Sequence, residues 1–430
     1  MEISFCVFCL FWGFTLYFTI SNNETEPGLF TMKGQGMTSL QPLPASETGR
    51  VRITALKAME LKDSAGQSLV KIETDAGLVG YGEAGANGPT TRANLHNLEP
   101  ILLGEDPLAV DRLYTLMATR QHTYRAHIPT VSGVDIALWD LAGKILNTSV
   151  SRLITGRYRD EIPMYITGNP PGMLQPSEYR DWVNEMKTHP DGYRTIKAGF
   201  EGLRGNGLKA NQYAVAEMSH TLTAMEINVV RRGYENIRAE MGWEHDLIVH
   251  CHNEWDLPTA LGLCEALEAV KPLWIEDPLP VWYSDSWKTL KQASRIRVVT
   301  GEKLEGEREF MALIQNAAID GIHPDLAFAG GITGCRRIAA FADLYYIPVA
   351  THNVGTLIQN MATAHFGATV RNFILSETRL YERPFIRAMG VEPVVMNNGS
   401  LVVPNGPGLG VTLVEDVLRE NLKDGEPYWD

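Results

Sequence analysis

Six ionisable residues close six successive apolar runs in the second half of the chain: His252, Glu276, Glu302, Asp325, His352 and Glu377. The steps between them are 24, 26, 23, 27 and 25 residues, each close to one strand-plus-helix unit. Side chains at the same ends of consecutive parallel strands converge on one mouth. Packing gives no reason to gather carboxylates and imidazoles there, whereas a divalent cation and proton transfer both need them. Such a set suits a divalent cation working beside general acid–base groups, in which a base must stand within hydrogen-bond reach of the proton it takes.

His352 is the expected base. It ends the seventh run and Asp325 the sixth, so neighbouring strands would set the carboxylate against the ring, fixing its tautomer and raising its basicity. His250 precedes His252 by two, and on a strand the two face the same side.

The elements that must position these residues are legible as eight short runs: IPMYITG, RTIKAGF, DLIVHCH, PLWIEDP, RVVTGE, GIHPDLA, PVATHN and NFILSET. Helical patterns such as ALGLCEALEAVK and CRRIAAFADLYY fill the gaps. Strands alternating with helices predict a parallel sheet, and eight of them an α/β barrel of the TIM-like (β/α)7β type. Ahead of it, VRITALKAMEL, SLVKIETDAG and GLVGYGEAG read as an antiparallel meander, with helices expected over 95–121 and 131–147. The expected organisation is an apolar head and disordered linker (1–50), an α+β capping domain (51–155), the barrel (156–400) and a C-terminal segment returning to the cap (401–430). GYGEAG is only loosely like a nucleotide-binding loop, and no helix is expected to open after it, so no dinucleotide site is read there. Trp139-Asp140 reads as core packing plus a helix contact. The segment around Trp282, Tyr283 and Trp287 reads as a rim loop or an oligomer contact, which the sequence leaves open.

Composition narrows the function. The 430 residues carry 51 acidic and 38 basic side chains, a net charge of -13, which excludes a nucleic-acid or anionic-membrane surface. An anionic small substrate remains compatible, since a buried cation and a few lysines dominate locally. Five scattered cysteines, with Cys6 and Cys9 forming a C-x-x-C inside an apolar run, predict a reduced, disulfide-free cytoplasmic protein. Residues 3–20 are nearly all apolar and approach the length of a membrane span. Glu2 stands where a signal peptide carries positive charge. We read the stretch as a dispensable extension, with the working protein starting near Met37, in preference to export or membrane anchoring.

The order of GLVGYGEAG, GVDIALWDLAGK, IVHCHNEW, WIEDPLP, TGEKLEG, HPDLAFAGGITG, VATHN and ILSET resembles the enolase superfamily, in its mandelate racemase/muconate lactonizing enzyme branch. The likeness spans about residues 51–415. It implies a divalent metal, Mg²⁺ by family habit, held by acids after the third, fourth and fifth barrel strands. Glu276 and Glu302 match the second and third ligands. The first should be Asp, and His250 stands there. Three readings follow: His250 ligates through neutral imidazole, which suits Mn²⁺ or another transition metal better than Mg²⁺; Glu254 supplies the carboxylate; or the site is degenerate and the chain a silent carbohydrate-acid binder.

The resemblance also implies the roles. His352 and Asp325 match the family's His-Asp dyad. His252 matches the general acid that protonates the departing 3-hydroxyl in acid-sugar dehydratases; the alternative is that His250 and His252 have exchanged jobs. Glu377 matches the eighth-strand acid that donates to the substrate carboxylate, which requires its protonated form. The family's Lys-x-Lys is reduced to Lys197-Ala198-Gly199, so one lysine remains, either to hold the substrate carboxylate or to snorkel at the rim. One base with one acid favours dehydration of a sugar acid to a 2-keto-3-deoxy product over racemisation, epimerisation or cycloisomerisation. Specificity is expected from cap loops at 85–95 and 122–127, and the assembly is expected to be a symmetric homo-oligomer.

Overall fold

The computed structural model describes residues 48–119, 126–204, 207–208 and 221–429, together with two strands of the head. The head and the remainder form separate units, Met1–Gln41 and Pro42–Asp430. In the head, β1 (Ile3–Phe8) pairs antiparallel with β2 (Thr15–Ile20), Ile3 opposite Ile20. The described residues of the apolar run form two short strands, and among the described residues no helix is long and apolar enough to cross a membrane. Residues 21–47 of the expected linker, Cys9 and His122 lie outside the described residues.

The second unit opens with an antiparallel sheet of β3 (Ile53–Glu60), β4 (Ser68–Thr74) and β5 (Val79–Ala84). Four helices follow: α1 (Gly88–Leu102), α2 (Val110–Thr119), α3 (Ile128–Ile145) and α4 (Val150–Ile154). The single helix expected over 95–121 is thus two, because Gly104 at φ +79° takes the left-handed position that ends α1. A helix does open after GYGEAG, at Gly88, where Asn87 accepts from the Thr90 amide at 2.9 Å. The glycines still have a packing reason. A Cβ on Gly80 would strike the Ala137 carbonyl and one on Gly82 the Gly133 carbonyl, so they let α3 lie directly on the sheet.

The barrel strands are β6 (Glu161–Thr167), β7 (Thr195–Ala198), β8 (Asp246–His250), β9 (Trp274–Glu276), β10 (Val298–Thr300), β11 (Gly321–Ile322), β12 (Val349–Thr351) and β13 (Phe373–Thr378). They pair in parallel in chain order, and β13 closes back on β6 with Glu377 opposite Tyr165. The helices between them are α5 (Pro176–Lys187), α6 (Ala224–Met241), α7 (Leu257–Ala266), α8 (Asp285–Ala293), α9 (Gly306–Gln315), α10 (Gly331–Leu344) and α11 (Leu357–Thr369). This is the expected (β/α)7β barrel behind a cap.

Tyr165, Ile248, Trp274, Val299, Ala350 and Leu375 fill the barrel interior as one apolar cluster beneath the strand ends. Each such buried side chain is worth about 1.5–3 kcal/mol. That plug gives the polar mouth a rigid floor. Trp139 donates to Thr333 on α10 at 2.9 Å, and Asp140 accepts from the amides of Tyr81 and Leu409, both at 2.8 Å. Trp139-Asp140 thus ties α3 to the barrel and to β5.

After α12 (Pro384–Ala388), β14 (Met396–Asn397) and β15 (Ser400–Val402) extend β6 antiparallel. The chain then passes α13 (Glu415–Glu420) and reaches the cap, where Lys62 donates to Asn421 at 2.7 Å and Leu61 bridges Leu422. Cys251, Cys264 and Cys335 are buried free thiols.

One core histidine carries a pH prediction. His365 on α11 is wholly buried, and its Nδ1 accepts from the Ser151 amide at 3.2 Å. Burial pushes its imidazole down from 6.5 to about 4. A histidine depressed in the folded state takes up a proton on unfolding. Its stabilisation is therefore complete above about pH 6.5 and is lost as pH falls through 4, a swing of roughly 3 kcal/mol. His365→Asn keeps an acceptor without the titration. Urea midpoints for variant and wild type should converge as pH drops from 7 to 4; parallel curves would refute the assignment.

Candidate active site

All six strand-end residues converge at the mouth, and the strands leave the barrel in ways that aim them. His250 ends β8, and His250 Nδ1 lies 2.9 Å from Glu276 Oε1. Glu276 is fully buried; its other oxygen accepts from Trp274 Nε1 at 2.9 Å. His250, Glu276, Asp277 and Glu302 each offer a donor atom within 4.8 Å of the others, and His250, His252 and Glu302 form a second, overlapping group. Burial alone would raise the Glu276 carboxyl, but the cations of Lys197 and His323 hold it well below its ordinary value. Asp277 Oδ2 is buried without a hydrogen-bond partner, and His250 Nδ1 faces a carboxylate oxygen of the same group, Glu276 Oε1. An unpaired carboxylate oxygen beside an imidazole nitrogen and further carboxylates fits a divalent cation.

The dyad is formed. His352 Nδ1 stands 2.6 Å from Asp325 Oδ2, and Asp325 Oδ1 accepts from Gln359 Nε2 at 2.6 Å and the Ala327 amide at 2.7 Å. Its free side faces carboxylates: His352 Nε2 lies 3.6 Å from Glu302 and 3.7 Å from Glu377. Burial lowers this ring, but Glu302, Glu377 and Asp325 outweigh it and raise it to about 9.

His252 approaches the other oxygen of Glu302. Its Nε2 is 3.6 Å from Glu302 Oε1, while His352 approaches Oε2. The two histidines 250 and 252 do not continue one strand, as expected from alternation. His252 and Asn253 adopt φ +57° and +62°, and this left-handed turn still leaves the 250 and 252 rings 5.1 Å apart. Burial and the neighbouring His250 push the His252 ring down to about 4.

Lys197 is not at the rim. It is 1% exposed and donates to Glu276 at 2.7 Å and Glu377 at 2.9 Å, so snorkelling is excluded. Glu377 also accepts from Thr167 and, at 3.4 Å, from Tyr165. Burial would raise Glu377, yet Lys197 and His352 bring it below its ordinary value. That direction is opposite to the one a protonated donor, expected from the sequence, would need. Glu254 is not free to ligate: Arg204 holds one of its oxygens at 3.1 Å and the other at 2.5 Å.

Family profiles cover both domains. Residues 50–155 match the mandelate racemase/muconate lactonizing enzyme N-terminal domain, and residues 179–417 match the enolase C-terminal domain-like family. The chain belongs to the mandelate racemase/muconate lactonizing enzyme family. Among family members, it is 31% identical to a D-xylonate dehydratase of Haloferax volcanii over 84% of this chain and 87% of that protein. It is 28% identical to a D-galactonate dehydratase of Pectobacterium atrosepticum, over 84% and 92% of the two chains. The crystal structure of a mandelate racemase/muconate lactonizing enzyme-like protein from Rubrobacter xylanophilus superposes with a TM-score of 0.80 at 26% identity, covering 88% and 99%.

Within this mandelate racemase fold, sequence reasoning passed over three residues. Asp277 follows Glu276 directly, and alternation alone would turn it away; φ +51° breaks the alternation. His323, fully buried, reaches Asp277 Oδ1 at 3.4 Å. Glu83, the acid of GYGEAG, is buried at the start of α11, accepting from the Thr356 amide and hydroxyl at 2.8 and 2.7 Å and from the Gln359 amide at 3.0 Å. Burial pushes Glu83 up to about 7 against those hydrogen bonds. Cap strand β5 is thereby clamped to the helix whose Gln359 holds Asp325. A carboxylate at a helix N-terminus was the available signal. Of the segment 85–95, only 85–87 is loop, since α1 begins at Gly88. Trp287 is core, donating to the Pro280 carbonyl at 3.1 Å, whereas Trp282 is exposed.

Proposed function

We propose that this chain dehydrates a sugar-acid carboxylate to its 2-keto-3-deoxy acid, with His352 as base and His252 as acid. One observation carries the reading: the His252 and His352 imidazoles approach different oxygens of Glu302, Oε1 and Oε2, each at 3.6 Å. An acid and a base flanking one carboxylate are what an elimination needs. Lys197 is committed to Glu276 and Glu377, which disfavours it as a second base for racemisation. The dehydratase relatives support the same reaction class.

His250, Glu276 and Glu302 would hold a divalent ion, which supplies positive charge to the substrate carboxylate and relieves His352 of the pull of Glu302. The imidazole at 250 favours Mn²⁺ or another transition metal over Mg²⁺. His352 Nε2 takes the proton from C2 while Asp325 keeps Nδ1 protonated and the ring oriented. The C3–O bond breaks as His252 delivers a proton to the leaving hydroxyl, so water departs and the enol becomes the 2-keto acid. His252, held low by burial, regains a proton when the substrate anion enters beside it.

The test is a panel of C5 and C6 sugar acids, assayed for 2-keto-3-deoxy product with Mg²⁺ and Mn²⁺ in parallel. We expect at least one acid to turn over, only with metal, and better with Mn²⁺. Absence of product from every acid in both metals would defeat the proposal.

A further inference from the structure

We propose that Asp277 is a fourth protein donor to the divalent cation, contributing one carboxylate oxygen beside His250, Glu276 and Glu302. The inference rests on the metal reading above and deepens it.

Asp277 is 0% exposed, and its two oxygens differ. Oδ1 is engaged, accepting from Thr300 Oγ1 at 2.5 Å and facing His323 Nε2 at 3.4 Å. Oδ2 is buried with no hydrogen-bond partner. An ionised oxygen stripped of water and left unpaired is among the costliest groups a core can hold, unless a cation completes it. The residue also sits in the left-handed backbone region, which a residue with a side chain adopts only at a cost. Its φ is +51°, held by Asp277 N donating to the Val299 carbonyl at 2.9 Å and Asn253 N donating to the Asp277 carbonyl at 2.7 Å. Strand alternation would send consecutive residues 276 and 277 to opposite faces. The left-handed turn instead leaves a carboxylate oxygen of Asp277 within 4.8 Å of donor atoms on His250, Glu276 and Glu302.

Charge points the same way. Glu276, Asp277, Glu302 and Glu377 are all buried at one mouth, and Lys197 bonds only Glu276 and Glu377 among them. With imidazole at position 250, His250, Glu276 and Glu302 bring two negative charges to the ion; Asp277 brings a third. Glu254, the other acid in reach by sequence, is spent on Arg204.

Loss of affinity alone does not separate a ligand from a neighbour, since removing a partner of a ligand also weakens binding. Two variants of the full chain do. Asp277→Asn keeps the size and the Thr300 contact, and Asp277→Cys places a thiolate where the oxygen was. Mn²⁺ titrations followed by electron paramagnetic resonance should show Asp277→Asn binding at least about tenfold more weakly than wild type. Co²⁺ added to Asp277→Cys should produce a thiolate-to-metal charge-transfer band that wild type, with its own buried Cys251, lacks. Asn variant affinity within twofold of wild type would overturn the proposal. So would a folded Cys variant that binds Co²⁺ without the band. Either result leaves the metal reading standing. A wild-type chain that binds neither Mn²⁺ nor Co²⁺ would instead remove that reading, and this inference with it.

Discussion

His352→Asn should lower turnover of the best sugar acid by about 10²–10⁴-fold, the range of a positioned general base. Mn²⁺ affinity should change by less than about threefold, because the ring stands 3.6 Å from Glu302 and lies outside the donor groups. Asparagine retains an amide near Nδ1 to meet Asp325, so the 2.6 Å contact that fixes the dyad has a substitute and the fold should persist. Solvent deuterium exchange at C2 of the substrate should disappear with turnover, since no other described group is placed as the dyad is. A variant that retains exchange but not product would move the base elsewhere and leave His352 a later role. One that retains both would remove His352 from the mechanism.

Lys197→Met should produce the largest stability change at the mouth. The ammonium is 1% exposed and lies 2.7 and 2.9 Å from two carboxylates that are themselves buried. Removing one partner of a buried ionic group leaves uncompensated charge, at a cost of about 3–5 kcal/mol. Here Glu276 and Glu377 would face each other without the one ammonium that bonds them both. The effect should be greatest in chelator, because an ion bound to the folded state alone adds stability by mass action. Thermal melts in EDTA and in saturating Mn²⁺ measure it: the gap between variant and wild type should be wide in the first and narrower in the second. An equal gap in both would mean that Lys197 and the cation act on separate charges.

The residues themselves show where sequence reading reaches. Asp325 and His352 end adjacent parallel strands, so their pairing follows from period and spacing, and the barrel geometry delivers it. The same holds for Glu276 and Glu302. Reading failed where the backbone leaves regular geometry. His252 was placed beside His250 by strand alternation, yet it arrives there through φ +57°; Asp277 drew no reading, and φ +51° brings it among the other donors. Glu377 was expected protonated because burial and like charges raise a carboxyl, but Lys197 reaches it across the barrel and reverses the sign. Lys197 was left between holding the substrate carboxylate and snorkelling at the rim, because its run says nothing about the depth of the barrel. Glu83 drew no reading of its own within the meander phrase GLVGYGEAG, although it joins cap to barrel 273 residues away at Thr356.

Strand and helix order, the closed barrel behind a cap and the identity of the polar residues at the strand ends were determined by the sequence alone. Apolar periodicity and regular spacing are local properties, and a parallel barrel converts equal spacing into a shared mouth. The protonation states, the partner of Lys197, the engagement of Glu254 by Arg204 and the entry of Asp277 among the metal donors were decided only by the tertiary structure. Each depends on burial and on charges brought close from distant strands, and electrostatics at such distances is set by three-dimensional position.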